Sequence, residues 1–350
     1  MIVDFHVQAR MPQAAAFLVW LQEHLQAEGV QVQRTAQGLQ LHMPQIGSLA
    51  FHRCSDEGFD GDIAAADARM AALIQLSLEE HAQEFLHARG APANALQLNW
   101  RGLPTSDLQH RFQVVKVIGV HDLTPHMRRV RLAVPVIDAF AGDGLHVRLV
   151  LPIPGCAPIW PHTDAQGRLV WNAGQTPLPQ RIYTIRQCST AQGWLEIDIV
   201  RHAHQAPGAQ WISQVKLGDA VGLLGPAGGS VPDAARLHLV ADMAALPAAL
   251  RIAQAQAARG GRWQLLALGS DARDAAYAPA SAHVHVQWHI GTPQSHITVV
   301  DAWLRQQATD AQPHTVWLAG SQQLVHAVRA ALRAAPIPGL EQPKLAAYWK

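Results

Sequence analysis

Near residue 235 the arrangement of predicted strands changes. Between 112 and 224, strand-like segments follow one another with only turn residues between them. Such a run is typical of a small antiparallel barrel of about six strands. After 235, strands alternate with helix-like runs at 244–258, 297–308 and 321–334, which indicates an open, mostly parallel sheet. We therefore predict a β-barrel followed by an α/β domain of the nucleotide-binding type, whose ligands lie beyond the carboxyl ends of the strands.

A smaller pattern precedes the barrel. Residues 2–7 alternate like a strand, and 13–27 place apolar side chains at helical spacing. The segment 39–52 predicts two short strands around a turn that contains Pro and Gly, and 64–88 predicts a second helix with one apolar face. Together these elements predict a small α+β domain.

The length of the chain, 350 residues, exceeds what one hydrophobic core usually serves. Residues 101–110 are polar and contain Gly and Pro, so we interpret them as a linker. The predicted architecture is multidomain, with a small α+β domain at 1–100, an antiparallel β-barrel at 111–233 and an α/β domain at 235–350.

The charge balance is nearly even, with 27 Lys and Arg against 26 Asp and Glu. A net charge of +1 gives no general attraction to nucleic acid or to a membrane surface, so any anion site must be local. No apolar run approaches the ~18 residues of a membrane span, and the N-terminus lacks the layout of a signal peptide. We expect a cytoplasmic protein without stable membrane insertion.

The cysteines and histidines do not predict a resident metal. The 3 cysteines are widely separated and form no CxxC pair, so they predict neither a disulfide framework nor a zinc site, and we interpret them as ordinary thiols. Among the 20 histidines, His283, His285 and His289 share one face of a predicted strand. A solvated strand face explains this alternation more simply than a metal does, because no carboxylate or thiolate lies nearby in the sequence.

The segment Arg181-Ile-Tyr-Thr-Ile-Arg186 combines residue types that suit a flavin nucleotide. A guanidinium offers a fork of donors for a pyrophosphate, a phenol ring offers a flat face, and a hydroxyl can bond a ring nitrogen or carbonyl. On a strand, Arg181 and Tyr183 point one way while Thr184 and Arg186 point the other. A half-exposed strand without any cofactor has the same alternation, so the segment alone leaves both interpretations open.

This segment resembles the RxYTxR flavin motif of siderophore-interacting proteins, a branch of the ferredoxin-reductase-like flavoproteins. The resemblance extends over roughly 112–350. The segments 198–202, 206–211, 218–219 and 225–228 are similar in order and spacing to further elements of that family. The resemblance implies an FAD-binding barrel.

The same resemblance implies roles for individual residues. Arg181 is expected to bind the FAD phosphates, Tyr183 to stack on the isoalloxazine ring and Thr184 to bond its edge. The residues expected to shape the rest of the cofactor pocket are Val200, His202, Pro207 and Trp211.

The α/β part resembles the family at two segments but departs from it in both. The segment 241–247 is similar to GDETALPA, and 316–320 is similar to a W-x-AGE strand end. The resemblance implies that Asp242, Gly320 and Ser321 contact NAD(P)H. However, Ala241, Met243 and Ala244 replace Gly, Glu and Thr, and Ser321 replaces the acidic residue, so reduced ferredoxin stays open as the electron donor. Ordinary helix capping and core packing also account for these residues.

The chain ends in Ala347-Tyr-Trp-Lys350, similar to the YW(K/R) segment of the family. In that family, basic residues beside the flavin are thought to attract the anionic ferric chelate. By position these residues correspond to Arg148, Arg186 and Lys350. The resemblance therefore implies a ferric siderophore as the substrate.

The function implied is an FAD-dependent reductase that passes electrons from NAD(P)H or ferredoxin to ferric siderophores and releases iron(II) in the cytoplasm. Hard oxygen chelators hold iron(III) far better than iron(II), so no catalytic acid or base is expected. Two alternatives stay open: a general NAD(P)H:flavin or quinone reductase, and a non-catalytic protein that binds FAD or siderophore. The N-terminal segment resembles small domains of unassigned function that sometimes precede siderophore-interacting proteins.

Overall fold

The computed structural model describes residues 2–27, 30–35, 38–43, 46–92, 95–102, 112–142, 144–163, 169–172, 175–201, 206–226, 229, 231–278, 286–307, 312–341 and 343–349. The chain divides into two compact units. The first comprises Met1–Phe112 together with Pro161–Ala173, and the second comprises Gln113–Trp160 together with Gly174–Lys350.

The first unit is an antiparallel sheet with two helices. Its elements are β1 (Val3–Arg10), α1 (Ala14–Ala27), β2 (Gln31–Thr35), β3 (Gly38–Met43), β4 (Gly47–His52), β5 (Gly58–Ala65), α2 (Ala68–His87) and β6 (Gln97–Arg101). The strands lie in the order β2-β3-β4-β5-β1-β6, and all neighbours are antiparallel. The Asp67 side chain accepts a hydrogen bond from the backbone N–H of Met70 and so begins α2.

Alternation along the strands gives this sheet one core face and one open face. On β1, Phe5 and Val7 are buried in a core that also contains Phe17 of α1 and Phe85 of α2. The intervening side chains, such as His6, point to the other face. A short strand pair, β10 (His162–Thr163) and β11 (Leu169–Val170), is also present.

The first part of the second unit is a closed barrel in the order β12-β13-β8-β7-β14-β9. Its strands are β7 (Phe112–Asp122), β8 (Met127–Ala133), β9 (His146–Val150), β12 (Gln180–Ser189), β13 (Trp194–Val200) and β14 (Ala220–Leu224). A short 3-10 helix lies at Asp138–Phe140, and α3 (Pro207–Gln214) lies between β13 and β14. The barrel predicted from the strand pattern is confirmed.

The rest of the second unit is a five-stranded parallel sheet in the order β17-β16-β15-β18-β19. Its elements are β15 (Arg236–Asp242), α4 (Leu246–Ala258), β16 (Arg262–Gly269), a 3-10 helix at Ala272–Tyr277, β17 (Val286–Ile290), α5 (Pro293–Gln307), β18 (Thr315–Ser321), α6 (Gln322–Ala334) and β19 (Lys344–Trp349). The predicted α/β fold class is confirmed. The terminal strand β19 was missed in the sequence, because a short segment after Pro and Gly residues has too little pattern to separate a strand from a loop.

Arg251 of α4 holds the barrel against the parallel sheet. Its guanidinium donates hydrogen bonds to the backbone carbonyls of Ile185 at 3.0 Å and Gly142 at 3.1 Å. Asp274 is almost fully buried and accepts from the Thr124 hydroxyl of the barrel at 2.6 Å. These contacts set the position of β12 relative to the carboxyl ends of the parallel strands. Among the described helices, none has both the length and the apolar character needed to cross a lipid bilayer.

Candidate functional site

Strand β12 presents Arg181 and Tyr183 from the barrel. Arg181 is exposed, and its Nη1 donates to the Gln180 carbonyl at 2.7 Å. Tyr183 packs against the barrel core, and burial raises the pKa of its phenol to about 12, although the nearby Arg181 charge acts in the opposite direction. The ring is therefore uncharged at neutral pH and offers an aromatic surface next to an exposed cation.

The first turn of α3 meets these two side chains. Gly208 lies so close that a Cβ at this position would be 2.5 Å from the Tyr183 hydroxyl and 3.6 Å from Cγ of Arg181. Pro207 is in the first turn, and the N-cap residue Ala206 has no side-chain group that could bond the free N–H groups of that turn. A guanidinium and uncapped helix N–H groups together form a suitable place for a phosphate anion.

Trp211 lies one turn further along α3 and is buried at 5% exposure. Among the described residues its indole Nε1 has no hydrogen-bond partner, whereas buried polar groups are normally bonded. The exposed Arg181 guanidinium, the partly buried Tyr183 ring and the uncapped first turn of α3 fit a large polar cofactor such as FAD.

Thr184 points to the other face of β12, as the alternation predicts. It is buried, and its Oγ1 lies 3.4 Å from Nδ1 of His146 on β9. Nε2 of His146 lies 3.1 Å from the hydroxyl of Tyr348 on β19. Burial lowers the pKa of His146 to about 4, and the Arg251 charge acts in the same direction. A neutral imidazole therefore connects the barrel to the last strand of the parallel sheet.

The predicted nicotinamide contacts lie together at the carboxyl ends of β15 and β18. The Asp242 carboxylate accepts from Nε1 of Trp349 at 2.7 Å and from the backbone N–H of Ala244 at 3.0 Å. Burial raises its pKa, and these hydrogen bonds oppose that change. A Cβ at Gly320 would lie 2.7 Å from Asp242 Oδ2, and the Ser321 hydroxyl caps α6 by accepting from Leu324. The side chains of Asp242 and Ser321 are thus engaged within the protein.

Arg148 is a half-buried cation on β9. It lies directly across from Ile182 of β12, and its Nη1 donates to Oε1 of Gln180 at 3.3 Å. Ile182 precedes Arg186 by four residues, which corresponds to about 13 Å along a strand. The two predicted substrate cations therefore occupy different levels of β12 and its neighbour.

Arg186 has its own partners inside the second unit. Its Nη1 donates to Oε1 of Gln254 at 2.9 Å, its Nε lies 3.9 Å from Oδ2 of the buried Asp198, and its side chain is only 15% exposed. The Asp198 carboxylate lies beside the Arg186 charge and is shared with Arg129, which donates two hydrogen bonds to it. Val200 is half-buried at the end of β13, opposite Met127. His202, Lys350, His283 and His285 lie outside the described residues.

Three residues of this region had no role in the sequence analysis: Gly208, His146 and Arg251. Gly208 follows a proline in a helix-starting segment, a signal that predicts a tight approach but not the partner. His146 and Arg251 have no local signal, because their contacts depend on strand register and on the docking of α4.

Two family models match this chain. The siderophore-interacting FAD-binding domain matches residues 116–230, and siderophore-interacting protein matches residues 234–350. This chain belongs to the siderophore-interacting protein family. The first matched region contains the barrel and α3, so the FAD-binding domain of this siderophore-interacting protein includes Arg181, Tyr183 and Gly208. Both matched regions follow residue 115.

Similar proteins include ferric vibriobactin reductase ViuB of Vibrio cholerae serotype O1, which is 25% identical over 235 residues, covering 65% of this chain and 85% of that protein. The ferric acinetobactin reductase of Acinetobacter baumannii is 35% identical over 71 residues, covering 19% of this chain and 25% of that protein. The crystal structure of the siderophore-interacting protein SipS from Aeromonas hydrophila has a TM-score of 0.56 at 25% identity, covering 69% of this chain and 92% of that one.

Proposed function

We propose that this siderophore-interacting protein is a cytoplasmic, FAD-dependent reductase that transfers electrons from NAD(P)H, or from reduced ferredoxin, to ferric siderophores. The observation that carries the proposal is the meeting of Arg181, Tyr183 and Gly208 at the first turn of α3, within a matched FAD-binding domain. Two similar proteins are named ferric vibriobactin reductase and ferric acinetobactin reductase, which supports the same reaction class.

In this proposal Arg181 and the N–H groups of α3 would hold the FAD pyrophosphate, and the ring system would lie against Tyr183. The Thr184 side chain, on the other face of β12 beside His146, would support this strand from behind. The remainder of the pocket would be formed by Val200, His202, Pro207 and Trp211. When bound, FAD supplies the chemistry of accepting two electrons and releasing them singly. The protein's own task is to bind and orient this group.

The substrate enters this proposal as an anionic chelate of iron(III). Arg148 and Lys350 supply positive charge, while Arg186 contributes less because it lies beside Asp198. Reduction weakens the hold of hard oxygen ligands on iron, so iron(II) leaves without a protein acid or base. Asp242, Gly320 and Ser321 form the contact region for a nicotinamide donor in this proposal.

The test is an anaerobic steady-state assay of the purified protein with NADH, NADPH or reduced ferredoxin, each against a ferric siderophore, with a ferrous chelator to report iron(II). We expect the protein to carry FAD and to reduce the chelate with at least one donor. A protein without FAD that cannot be reconstituted, or a quinone reduced much faster than any ferric chelate, would contradict the proposal.

One observation favours a second candidate, a protein that binds FAD and siderophore without using a nicotinamide. The Asp242 carboxylate and the Ser321 hydroxyl are already bonded to Trp349, Ala244 and Leu324. Under this candidate, NADH and NADPH leave the absorption spectrum of the bound FAD unchanged at any concentration, and ferric siderophore still binds.

A further inference from the structure

Three metal-ligating side chains converge on the open face of the N-terminal sheet. His6 Nδ1 lies 2.7 Å from Asp62 Oδ1, and His52 Nδ1 lies 3.7 Å from Asp62 Oδ2. One ligand atom from each of the three residues lies within 4.8 Å of the other two. Neither histidine is in the segment that the sequence analysis considered for metal binding.

The register of three adjacent strands produces this convergence. Asp62 is on β5, which lies between β4 and β1. His6 is the direct cross-strand partner of Asp62, while His52 is two residues from Ala50, the partner of Asp62 on β4. Residues two apart on a strand share a face, so both imidazoles and the carboxylate lie on the same side. The backbone of a six-stranded sheet therefore holds the three groups together.

The distances suit a bound ion with small side-chain adjustments. Zinc–nitrogen and zinc–oxygen bonds of about 2.0–2.2 Å place tetrahedral ligand atoms about 3.3–3.5 Å apart. The Asp62 carboxylate oxygens lie 2.7 Å from Nδ1 of His6 and 3.7 Å from Nδ1 of His52, so one distance is shorter and the other longer than this range. Both histidine side chains are 30% exposed and Asp62 is 69% exposed, so an ion can enter from solvent.

We propose that His6, His52 and Asp62 bind a divalent first-row transition-metal ion. Two imidazoles and one carboxylate form a ligand set typical of Zn²⁺ and of Fe²⁺, and three protein ligands leave at least one position for water or another ligand. His6 and Asp62 also line a hollow of about 980 Å³ on this face, which gives such a ligand room.

The ligand atoms favour this class of metal over Mg²⁺ or Ca²⁺. Charges of both signs surround the three groups: Arg101 and Asp4 line the same hollow, and Asp60, the cross-strand partner of His52, pairs with Arg53. A hard cation depends on several oxygen ligands with negative charge, which this site does not offer among its three groups. Imidazole nitrogens bind a transition-metal ion directly and do not need several negatively charged oxygen ligands around it.

The test measures Zn²⁺ bound to the full-length, FAD-containing protein by equilibrium dialysis and elemental analysis, with Mg²⁺ as the comparison ion. We expect the wild type to bind one equivalent of Zn²⁺. His6→Ala, His52→Ala and Asp62→Asn should each bind it at least about 10-fold to 100-fold more weakly, since the loss of a group that only orients a ligand already costs that much. The Asp62→Asn side chain keeps the size of the carboxylate and removes its charge, so loss of zinc there reports ligation rather than packing.

His42→Ala is the matched control. His42 lies on the same open face and lines the same hollow, but it is on β3, two strands from Asp62. We expect this variant to bind Zn²⁺ like the wild type. Equal zinc binding by the wild type and the three cluster variants, an equal loss in His42→Ala, or Mg²⁺ bound as tightly as Zn²⁺ would each overturn the proposal. The FAD content serves as a check that every variant is folded outside the N-terminal unit.

Discussion

At the scale of single residues, the glycine at 208 determines whether α3 can approach strand β12. Its missing Cβ leaves space for the Tyr183 hydroxyl, and a side chain there would come within 2.5 Å of that oxygen. If residue 208 carried a side chain, either the backbone of α3 or the Tyr183 ring would have to move, because protein cores and their edges are close-packed.

We predict that Gly208→Ala moves Tyr183 or α3 and lowers the affinity for FAD by about tenfold to a hundredfold, equivalent to the loss of about one hydrogen bond to a charged group. Absorbance at the flavin band per mole of protein after gel filtration measures the effect. Ser213→Ala, an exposed change on the same helix, is the control and should keep its FAD. Full FAD content in Gly208→Ala would show that the phosphate lies elsewhere.

A second residue-scale prediction concerns His146, whose pKa falls from 6.5 to about 4 on folding. Between these two values the unfolded chain binds a proton that the folded protein does not. The contribution of His146 to the free energy of unfolding is therefore at its highest above pH 6.5. It decreases as the pH falls toward 4, by at most about 3 kcal/mol in total. We predict that unfolding of His146→Gln in urea depends less on pH in this window than unfolding of the wild type.

The comparison of the two proteins isolates His146, since Asp242 and the other acidic groups are present in both. The pKa of Asp242 is raised on folding, so its titration has the opposite effect: it increases the free energy of unfolding as the pH falls. Parallel pH curves for the wild type and His146→Gln would mean that folding does not change the pKa of the His146 imidazole.

A third residue-scale prediction separates Arg148 from Arg186. With a net charge of +1, the whole chain attracts an anionic chelate only through local charge. Arg148→Ala should raise KM for a ferric siderophore and flatten its dependence on salt, because screening lengths fall from about 10 Å at 0.1 M to about 3 Å at 1 M salt. Arg186→Ala should change KM less and stability more, since its charge faces Asp198. The reverse order of effects would assign the substrate to the side of Arg186.

At the scale of secondary-structure elements, one buried carboxylate on β13 connects three segments. Asp198 is 4% exposed and accepts from Arg129 of β8 at 2.7 Å and 2.8 Å. It also accepts from the Tyr277 hydroxyl, in the 3-10 helix after β16, at 2.6 Å. Burial is the main cause of the strongly raised pKa of Tyr277, followed by the negative charge of Asp198, so the phenol remains the donor.

We predict that Asp198→Ala lowers the free energy of unfolding by about 2–3 kcal/mol, because Arg129 and the Tyr277 hydroxyl lose a charged hydrogen-bond acceptor, while Glu196, 3.2 Å from Arg129, still pairs with its charge. Tyr277→Phe, which removes one hydrogen bond, should cost about 1 kcal/mol. The control is Asp122→Ala on the same barrel: its pair with Arg128 is exposed, so the cost should stay below about 1 kcal/mol. Urea unfolding followed by fluorescence gives all three values, and equal costs for Asp198→Ala and Asp122→Ala would contradict the assignment.

At the scale of the whole molecule, the division into units does not follow the chain. Residues Pro161–Ala173 belong to the same compact unit as Met1–Phe112, although they lie between β9 and β12 of the barrel. Both regions matched by family models start after residue 115.

We predict that a protein lacking residues 1–105 folds and retains FAD, since the barrel and the parallel sheet have their own hydrophobic cores. In this truncated protein, the segment Pro161–Ala173 has lost the rest of its unit, so limited proteolysis should cut it faster than in the full chain. If the truncated protein fails to bind FAD, the N-terminal unit completes the flavin domain. If the cleavage rate of Pro161–Ala173 is the same in both proteins, contacts with residues 1–105 do not protect this segment.

The sequence alone determined the order of elements, the barrel followed by a parallel sheet, and the strand that we propose binds the flavin. These features depend on local patterns: the period of apolar residues, turn residues, and a run of chemically distinctive side chains at 181–186. A prediction from them needs no knowledge of which segments become neighbours.

Only the tertiary structure decided the contacts between distant residues. Asp242 and Trp349 are separated by 107 positions, and the pairing of Gly208 with Tyr183 depends on how α3 docks. From the sequence, the Arg186 side chain was expected to meet solvent or substrate, whereas the packing of β12 and β13 placed it beside Asp198. The physical reason is that a strand's alternation specifies which face a side chain occupies, while register and packing, which involve the whole chain, specify what it meets there.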